Sequence, residues 1–478
     1  MKTLLKKSLC MVLACLMIFG CMATGASADE VKRISCSMYA DGATARGFCW
    51  YTLEDGNSDL QLVTEAEYLV SGFSNAVSYV GKTEEFRDQF AHKVVVEDLT
   101  AGTSYCYRVG DAEKNMWSDT CSFATDDGDN AFSFITIADV QASSDENFAQ
   151  AAKVMKAAMD TIPEAEFVVT LGDFVNDNTN EEWDWYFKNF AFANNTKTLV
   201  PVAGNHDGNI TNKLNTYVFQ NTFCLDESDN QSLEGVYYSF DYGDAHIAVL
   251  NTNDMYPMSQ AQKNWLINDM KTSDAKWKLV FMHRALYSAG KNINKPDTII
   301  LRNTLIPIFD EIDIDFVMAG HDHMYMRTAP VYADARTEVT TVTESYNGVS
   351  TTFALNPEGA VHVLPSTAGT KRYSVNEDAI APIMDVAEVA LSTSDLGGCF
   401  ATTTIDGDYL IYTAYVVDDE TQEITQIDTY AIKKTDKNEA QDSELDESMA
   451  TSVFNYLYNL FYAFIDMIKS YLDMLFNL

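Results

Sequence analysis

Basic residues are scarce in this chain. Its 478 residues carry 32 lysines and arginines against 70 aspartates and glutamates, a formal charge of −38. That balance argues against nucleic acid as a large-surface partner, because such binding rests on basic contacts to phosphates. An acidic exterior favours solubility instead. No Cys-x-x-Cys pair occurs, so a thiolate zinc site is not suggested. A fixed-period repeat is also missing. If a leader is cleaved after Ala28, six cysteines remain: Cys36, Cys49, Cys106, Cys121, Cys224 and Cys399. An even count in an exported chain permits disulfides without specifying any. Strand parity opposes one local pair, since inward Tyr105, Tyr107 and Phe123 turn Cys106 outward and Cys121 inward.

The two ends have a different character from the middle. Lys2, Lys6 and Lys7 precede an apolar run from Ser8 to Phe19 and then Ala26-Ser27-Ala28, the layout of a cleavable signal peptide over residues 1–28. The expected location is secreted or cell-surface. Ile18-Phe19-Gly20-Cys21 offers a competing lipoprotein anchor at Cys21, weakened by the bulky Phe19. An acidic linker over 434–449 leads to a largely apolar run over 450–478. There Asn455, Asn459, Asp466, Ser470, Asp473 and Asn477 fall in one polar stripe. The pattern predicts an amphipathic helix. Asp466, Lys469 and Asp473 interrupt it too often for a membrane span, which leaves packing on the enzyme, self-association or a membrane interface.

Between the ends, a chain of this length accommodates two or three domains. Residues 30–125 contain short strand-like runs at Arg33–Tyr39, Gly47–Thr52, Lys93–Val96 and Ser104–Val109, the spacing of a β-sandwich. Leu99 to Val109 resembles a fibronectin type III strand entry, with Tyr105 placed as a tyrosine corner and Trp50 as the core tryptophan. From Phe132, buried strands alternate with helices: Phe132–Ile137, Phe167–Leu171, Leu199–Val202, Ile247–Leu250, Leu279–Met282 and Phe316–Met318. The helices are expected around 146–160, 180–191, 259–271 and 298–311. That alternation predicts an α/β domain over 131–432. Chemistry in such folds sits at the carboxyl ends of strands.

The segments just past those strands are polar and specific: Asp139, Gly172-Asp173, Gly204-Asn205-His206-Asp207, His283 and Gly320-His321-Asp322-His323. A two-metal hydrolase needs two cations, a bridging oxygen ligand and an exchangeable water. Carboxylate, amide oxygen and imidazole suit such ions. Any one of these residues alone is better explained as a cap or a core histidine. The ordered set resembles the five blocks of the calcineurin-like metallophosphoesterases. The stretch Gly320 to Arg327 and the preceding sandwich are similar to purple acid phosphatases in particular.

The resemblance implies a four-layer αββα domain behind the fibronectin-like sandwich. It places Asp139, Asp173 and His323 on one metal and Asp173, Asn205, His283 and His321 on the other, with Asp173 bridging. It gives His206 the role of facing the phosphate, where it stabilises developing charge or protonates the leaving oxygen, and gives Asp207 the role of orienting that ring. The implied function is hydrolysis of small phosphomonoesters by a metal-bridging hydroxide. Phosphodiesters or nucleotides are the alternative. A surface-binding protein with a degenerate site is disfavoured by the complete ligand set.

Two positions depart from the family pattern. Where Asp-x-His is common, this chain has Asp139-Val140-Gln141, so Gln141 is a weak ligand or none. Where purple acid phosphatases carry tyrosine, it has Asn176, which caps, orients or ligates. Without the phenolate, two divalent ions (Zn, Mn or Fe) are expected, and no purple band. Tyr287 and Arg327 are candidate substrate contacts. The loops 331–358 and 370–396 are expected to set specificity. His246 and His362 fit structural roles in strands, and His92 a surface position.

Overall fold

A computed structural model describes residues 31–208, 214–225, 236–253, 258–394 and 396–435. The leader over 1–28 with Cys21, nearly all of the acidic linker and the apolar tail lie outside the described residues.

The amino-terminal part is a two-sheet sandwich. Strands Lys32–Met38, Arg46–Thr52, Gln89–Val96 and Lys82–Phe86 form one sheet. Val77–Val80, Asp59–Thr64, Ser104–Asp111 and Met116–Trp117 form the other, with Cys121–Ala124 added on Ser104–Asp111. Alternation along each strand turns Cys36, Phe48, Trp50, Leu60, Tyr107, Val109 and Phe123 into one core. The Tyr105 hydroxyl accepts the Thr100 amide at 3.0 Å, tying the strand back to the loop before it. His92 is a correction: it is 1% exposed, stacked at 5.2 Å on Trp50, and bonded to Thr52 at 2.7 Å and Ser58 at 2.9 Å. Burial lowers its imidazole to about 4. All six cysteines are buried free thiols. Cys121 lies in the sandwich core opposite Tyr107, and Cys106 opposite Ser122.

The first sheet of the sandwich continues into the next domain. Lys32–Met38 runs parallel beside Thr198–Pro201, which pairs with Phe167–Thr170, and that strand pairs with Ala131–Ile137. Beyond these lie the antiparallel strands Gly398–Asp406, Tyr409–Val417 and Ile424–Lys433 and the hairpin Thr341–Tyr346/Val349–Leu355. Buried Arg46 stitches the junction, donating to Thr198 Oγ1 at 3.1 Å and to the carbonyls of Ala45 and Ala124 at 2.6 and 2.9 Å.

A second sheet runs Tyr238–Tyr242, Ala245–Leu250, Trp277–Arg284, Phe316–Gly320, Val361–Pro365, Tyr325–Thr328 and Ala387–Leu391, and Ala245–Leu250 through Val361–Pro365 are parallel. The two sheets share a core that includes Phe134, Phe167, Ile247, Phe281 and Phe316. Helix Asp145–Thr161 covers the first sheet because Phe148, Ala151, Ala152, Met155 and Ala158 recur at helical spacing on one buried face. The Ser144 hydroxyl caps it by accepting the Asn147 amide. Helix Asn180–Asn189 opens with a capping box between Thr179 and Glu182. On the other side, Gln260–Thr272 and Pro296–Ile312 bury Leu266, Met270, Leu301 and Leu305 against Leu250, Val280 and Met282. Fully burying each such side chain contributes about 1.5–3 kcal/mol. Helix, sheet, sheet, helix is the four-layer order.

Candidate metal centre

Asp139 and Asp173 come just after the first-sheet strands Ala131–Ile137 and Phe167–Thr170, and Asn205 and His206 just after Thr198–Pro201. His283 lies at the end of Trp277–Arg284, and His321 and His323 come just after Phe316–Gly320. Their loops meet because the backbone is bent to make them meet. Asp139, Asp173 and His321 have φ of 51°, 52° and 74°, conformations that cost energy in residues with a Cβ and that cluster at functional sites. Gly172 and Gly204 allow the close approach. A Cβ on Gly172 would lie 2.6 Å from His283 Nδ1, and one on Gly204 would lie 2.0 Å from the Asp173 nitrogen.

Two donor groups result, each with its ligand atoms within 4.8 Å of one another: Asp173, His283 and His321, and Asp139, Asp173 and His323. Asp173 belongs to both. Asn205 joins the first through its Oδ1, 3.1 Å from His283 Nε2. The rings are aimed from behind. His283 Nδ1 donates to the Leu171 carbonyl at 2.8 Å and His323 Nδ1 to the Lys371 carbonyl, so both Nε2 atoms face the carboxylates, at 3.3 Å from Asp173 and 3.4 Å from Asp139. Asp322 falls in neither group; Ser288 and Asn292 bond its carboxylate and pin the turn between the two histidines.

Carboxylates and imidazoles in the cluster shift one another's proton affinity. Burial lowers the His283 imidazole, but Asp173 outweighs it and lifts the ring to about 9. His323 is likewise raised by Asp139 against burial. Burial pushes the Asp173 carboxyl up, and His283 and His206 pull it below the usual carboxylate range. Burial and the neighbouring His283 and Arg284 hold His321 well below the ordinary imidazole value. Convergent carboxylate, amide and imidazole donors fit divalent cations, which would displace protons held on the imidazoles.

Asp207 does not orient His206. It is fully buried, and its carboxylate accepts the amides of Asp173, Gly204 and Phe174, each at 2.8 Å, which knots the two ligand loops together. Burial and the nearby Asp173 push its carboxyl up, against the pull of the Gly204 and Phe174 amides. The His206 ring is held instead by Asn176, whose carbonyl accepts from Nδ1 at 2.5 Å. Asn176 thus orients through its backbone. Gln141 has its Oε1 engaged by the Lys371 ammonium at 3.0 Å. Tyr287 and Arg327, the candidate substrate contacts, are both buried and bonded within the fold. Tyr287 is 1% exposed, its hydroxyl on Asp334 at 2.5 Å and its ring edge-on to buried His362. Arg327 forms a buried pair with Asp428 at 2.7 Å.

Three further residues stand at the centre that the sequence motifs do not point to: Arg284, Lys371 and Tyr373. Arg284 is fixed by Asp297 at 2.9 Å and Asn253 at 3.1 Å, with Nη1 3.5 Å from His321 Nε2. Tyr373 stacks on His323 at 4.6 Å. Adjacency to His283 is the available signal for Arg284. The other two lie in the loop 370–396, where the sequence suggests specificity without singling out residues.

Residues 132–325 match the calcineurin-like phosphoesterase family, and residues 31–125 match the purple acid phosphatase N-terminal domain family. The chain carries a calcineurin-like phosphoesterase domain behind a purple acid phosphatase N-terminal domain. The phosphoesterase domain holds every residue of both donor groups. Among curated proteins, the chain is 28% identical over 211 residues to an uncharacterised protein of Mycobacterium tuberculosis, covering 40% of this chain and 39% of that one. It is 26% identical over 250 residues to purple acid phosphatase 21 of Arabidopsis thaliana, covering 50% and 54%. The chain therefore spans about half or less of these relatives' own length. A purple acid phosphatase from yellow lupin seeds shares the fold with a TM-score of 0.68 at 15% identity, over 85% of this chain and 75% of that one.

Proposed function

We propose that the protein is a metal-dependent phosphoesterase that hydrolyses small phosphomonoesters at two divalent cations. The observation that carries this reading is the carboxylate of Asp173, common to both donor groups. Asp139, Asp173 and His323 would hold one cation, and Asp173, Asn205, His283 and His321 the other. Such a pair supplies Lewis acidity toward the phosphoryl oxygens and toward water.

The chain's own groups do the rest. His206 commits Nδ1 to the Asn176 carbonyl, which leaves Nε2 for the leaving oxygen. With Nε2 protonated, the ring gives its proton to that oxygen as the ester P–O bond breaks, and water supplies the oxygen that ends on phosphorus. The products are an alcohol and inorganic phosphate. Arg284, held rigid by Asp297 and Asn253, sets a positive charge beside His321 where an anionic substrate arrives. Asp207 keeps the loops of Asp173 and Asn205 in register.

Metal content by elemental analysis, with rates on p-nitrophenyl phosphate and bis-p-nitrophenyl phosphate, tests the reading. Two equivalents of metal and a preference for the monoester are expected; a preference for the diester would reassign the substrate. His206→Ala should keep its metals and lose about 2–4 kcal/mol of transition-state stabilisation. Turnover at the parental rate would remove His206 from the mechanism.

A further inference from the structure

The loop from Ser366 to Asn376 lies against the Asp139–His323 side of the centre and is fastened at several points. Thr367 Oγ1 donates to the Asp139 carbonyl at 2.6 Å, the Ala368 amide to the Ala138 carbonyl at 2.9 Å, and the Tyr373 amide to the His323 carbonyl at 2.8 Å. Arg372 anchors it to Asp419 with two bonds of 2.6 and 2.9 Å. Between these fixed points stands Lys371, exposed, with its backbone and its side chain put to different uses. Its carbonyl holds His323 Nδ1. Its ammonium reaches Gln141 Oε1 at 3.0 Å, two residues along the chain from Asp139.

The charges around it differ in one respect. Arg284 and Arg372 have carboxylate partners, Asp297 and Asp419. Among the described residues Lys371 bonds a neutral amide instead. An ammonium has three donors, and a single amide oxygen takes one of them. The amide is also the weaker acceptor, because bonds between ionised partners are shorter and about twice as strong as neutral ones. A doubly charged phosphoryl group arriving at the centre would outcompete it.

We propose that Lys371 is a substrate-binding residue whose ammonium takes a non-bridging oxygen of the phosphoryl group, and that Gln141 holds that arm ready instead of ligating a cation. The inference rests on the phosphoesterase reading and adds to it. A position that family resemblance offers to metal binding becomes, with its partner 230 residues away, part of the grip on phosphate. Lys291, whose ammonium lies 5.0 Å over the Tyr373 ring, adds positive charge on the same side.

The division between backbone and side chain makes the test clean, since Lys371→Met keeps the carbonyl that aims His323. Inorganic phosphate is titrated calorimetrically into metal-loaded parent, Lys371→Met and Lys371→Arg. Metal content and the kcat and KM for p-nitrophenyl phosphate are measured alongside. In Lys371→Met the dissociation constant for phosphate should rise about tenfold to a hundredfold, as expected for a lost charge-assisted bond. KM should rise in step, kcat should change less, metal content should hold, and Lys371→Arg should recover most of the affinity. Phosphate binding as tight as the parent's in Lys371→Met would overturn the proposal. So would loss of metal from that variant, which would give the residue a structural role, or loss of one metal equivalent from Gln141→Ala, which would make Gln141 a ligand. A parent that takes up no metal and turns over no ester refutes the phosphoesterase reading itself, a result none of the variants can mimic.

Discussion

Two imidazoles in this molecule are raised to about 9, and they are built for different ends. His246, on the strand Ala245–Leu250, is clamped between Asp241 at 2.7 Å on Nδ1 and Asp269 at 2.8 Å on Nε2. Burial works against its charge, and the two carboxylates override it. Each nitrogen has its own acid, the imidazolium is satisfied as a double donor, and Asp241 stands 64% open to water. Nothing further is needed there. At His283 one nitrogen is given to a backbone carbonyl, and the other faces donor atoms of Asp173 and Asn205, with His321 in the same group. A raised imidazole alone therefore does not mark a reactive centre. Donor atoms that converge from separate loops, on bent backbone, are what set His283 apart.

The largest effect expected from this contrast is on the converging side. Asp173→Ala should lose both metals and at least about a thousandfold in turnover, since several kcal/mol of charge stabilisation leaves with them. Elemental analysis with steady-state rates checks this, and full metal content in the variant would break the comparison. The clamp of His246 should appear as pH-dependent stability. Its folded value lies above the unfolded value of about 6.5, so its contribution is complete below that pH and disappears as pH rises through about 9. Replacing it by glutamine should cost about 1–3 kcal/mol at pH 6 and little above pH 10, read as melting temperatures of parent and variant across that range. A constant difference between the two would show that packing, not charge, is what His246 supplies. The smallest effect belongs to the sandwich: Tyr105→Phe removes the bond to the Thr100 amide and should cost about 1 kcal/mol in denaturant unfolding while leaving turnover alone.

Long elements with one strong period are readable from the residues. The helix expected over 146–160 spans Asp145–Thr161, and the strand expected over Phe132–Ile137 is Ala131–Ile137, because apolar spacing and a Ser144 cap are local facts. The antiparallel outer strands Gly398–Asp406, Tyr409–Val417 and Ile424–Lys433 are not among the expected elements. The first of them, Gly398–Asp406, pairs with Ala131–Ile137, about 270 positions earlier, and no turn signal encodes that. At the site, motif order points to Asp139, Asp173 and His283, since each closes a buried strand. It does not reveal that Asp207 turns its carboxylate to amides of its neighbours, nor that Lys371 meets Gln141. Those facts depend on which side of a loop a side chain faces after folding. His92 misleads for a related reason: a polar residue before an apolar run looks exposed until Thr52, Ser58 and Trp50 close over it.

The parallel contact of Lys32–Met38 with Thr198–Pro201 has a consequence for how much of this chain can stand alone. Without residues 31–125, Thr198–Pro201 would become a rim strand with unpaired amides and carbonyls, the kind of border that recruits strands from other molecules. Its residues are all buried in the intact chain, so the exposed border would also be greasy. The sandwich thus works as a permanent guard strip for the domain that carries the two donor groups, and the two should be expressed, purified and melted as one body.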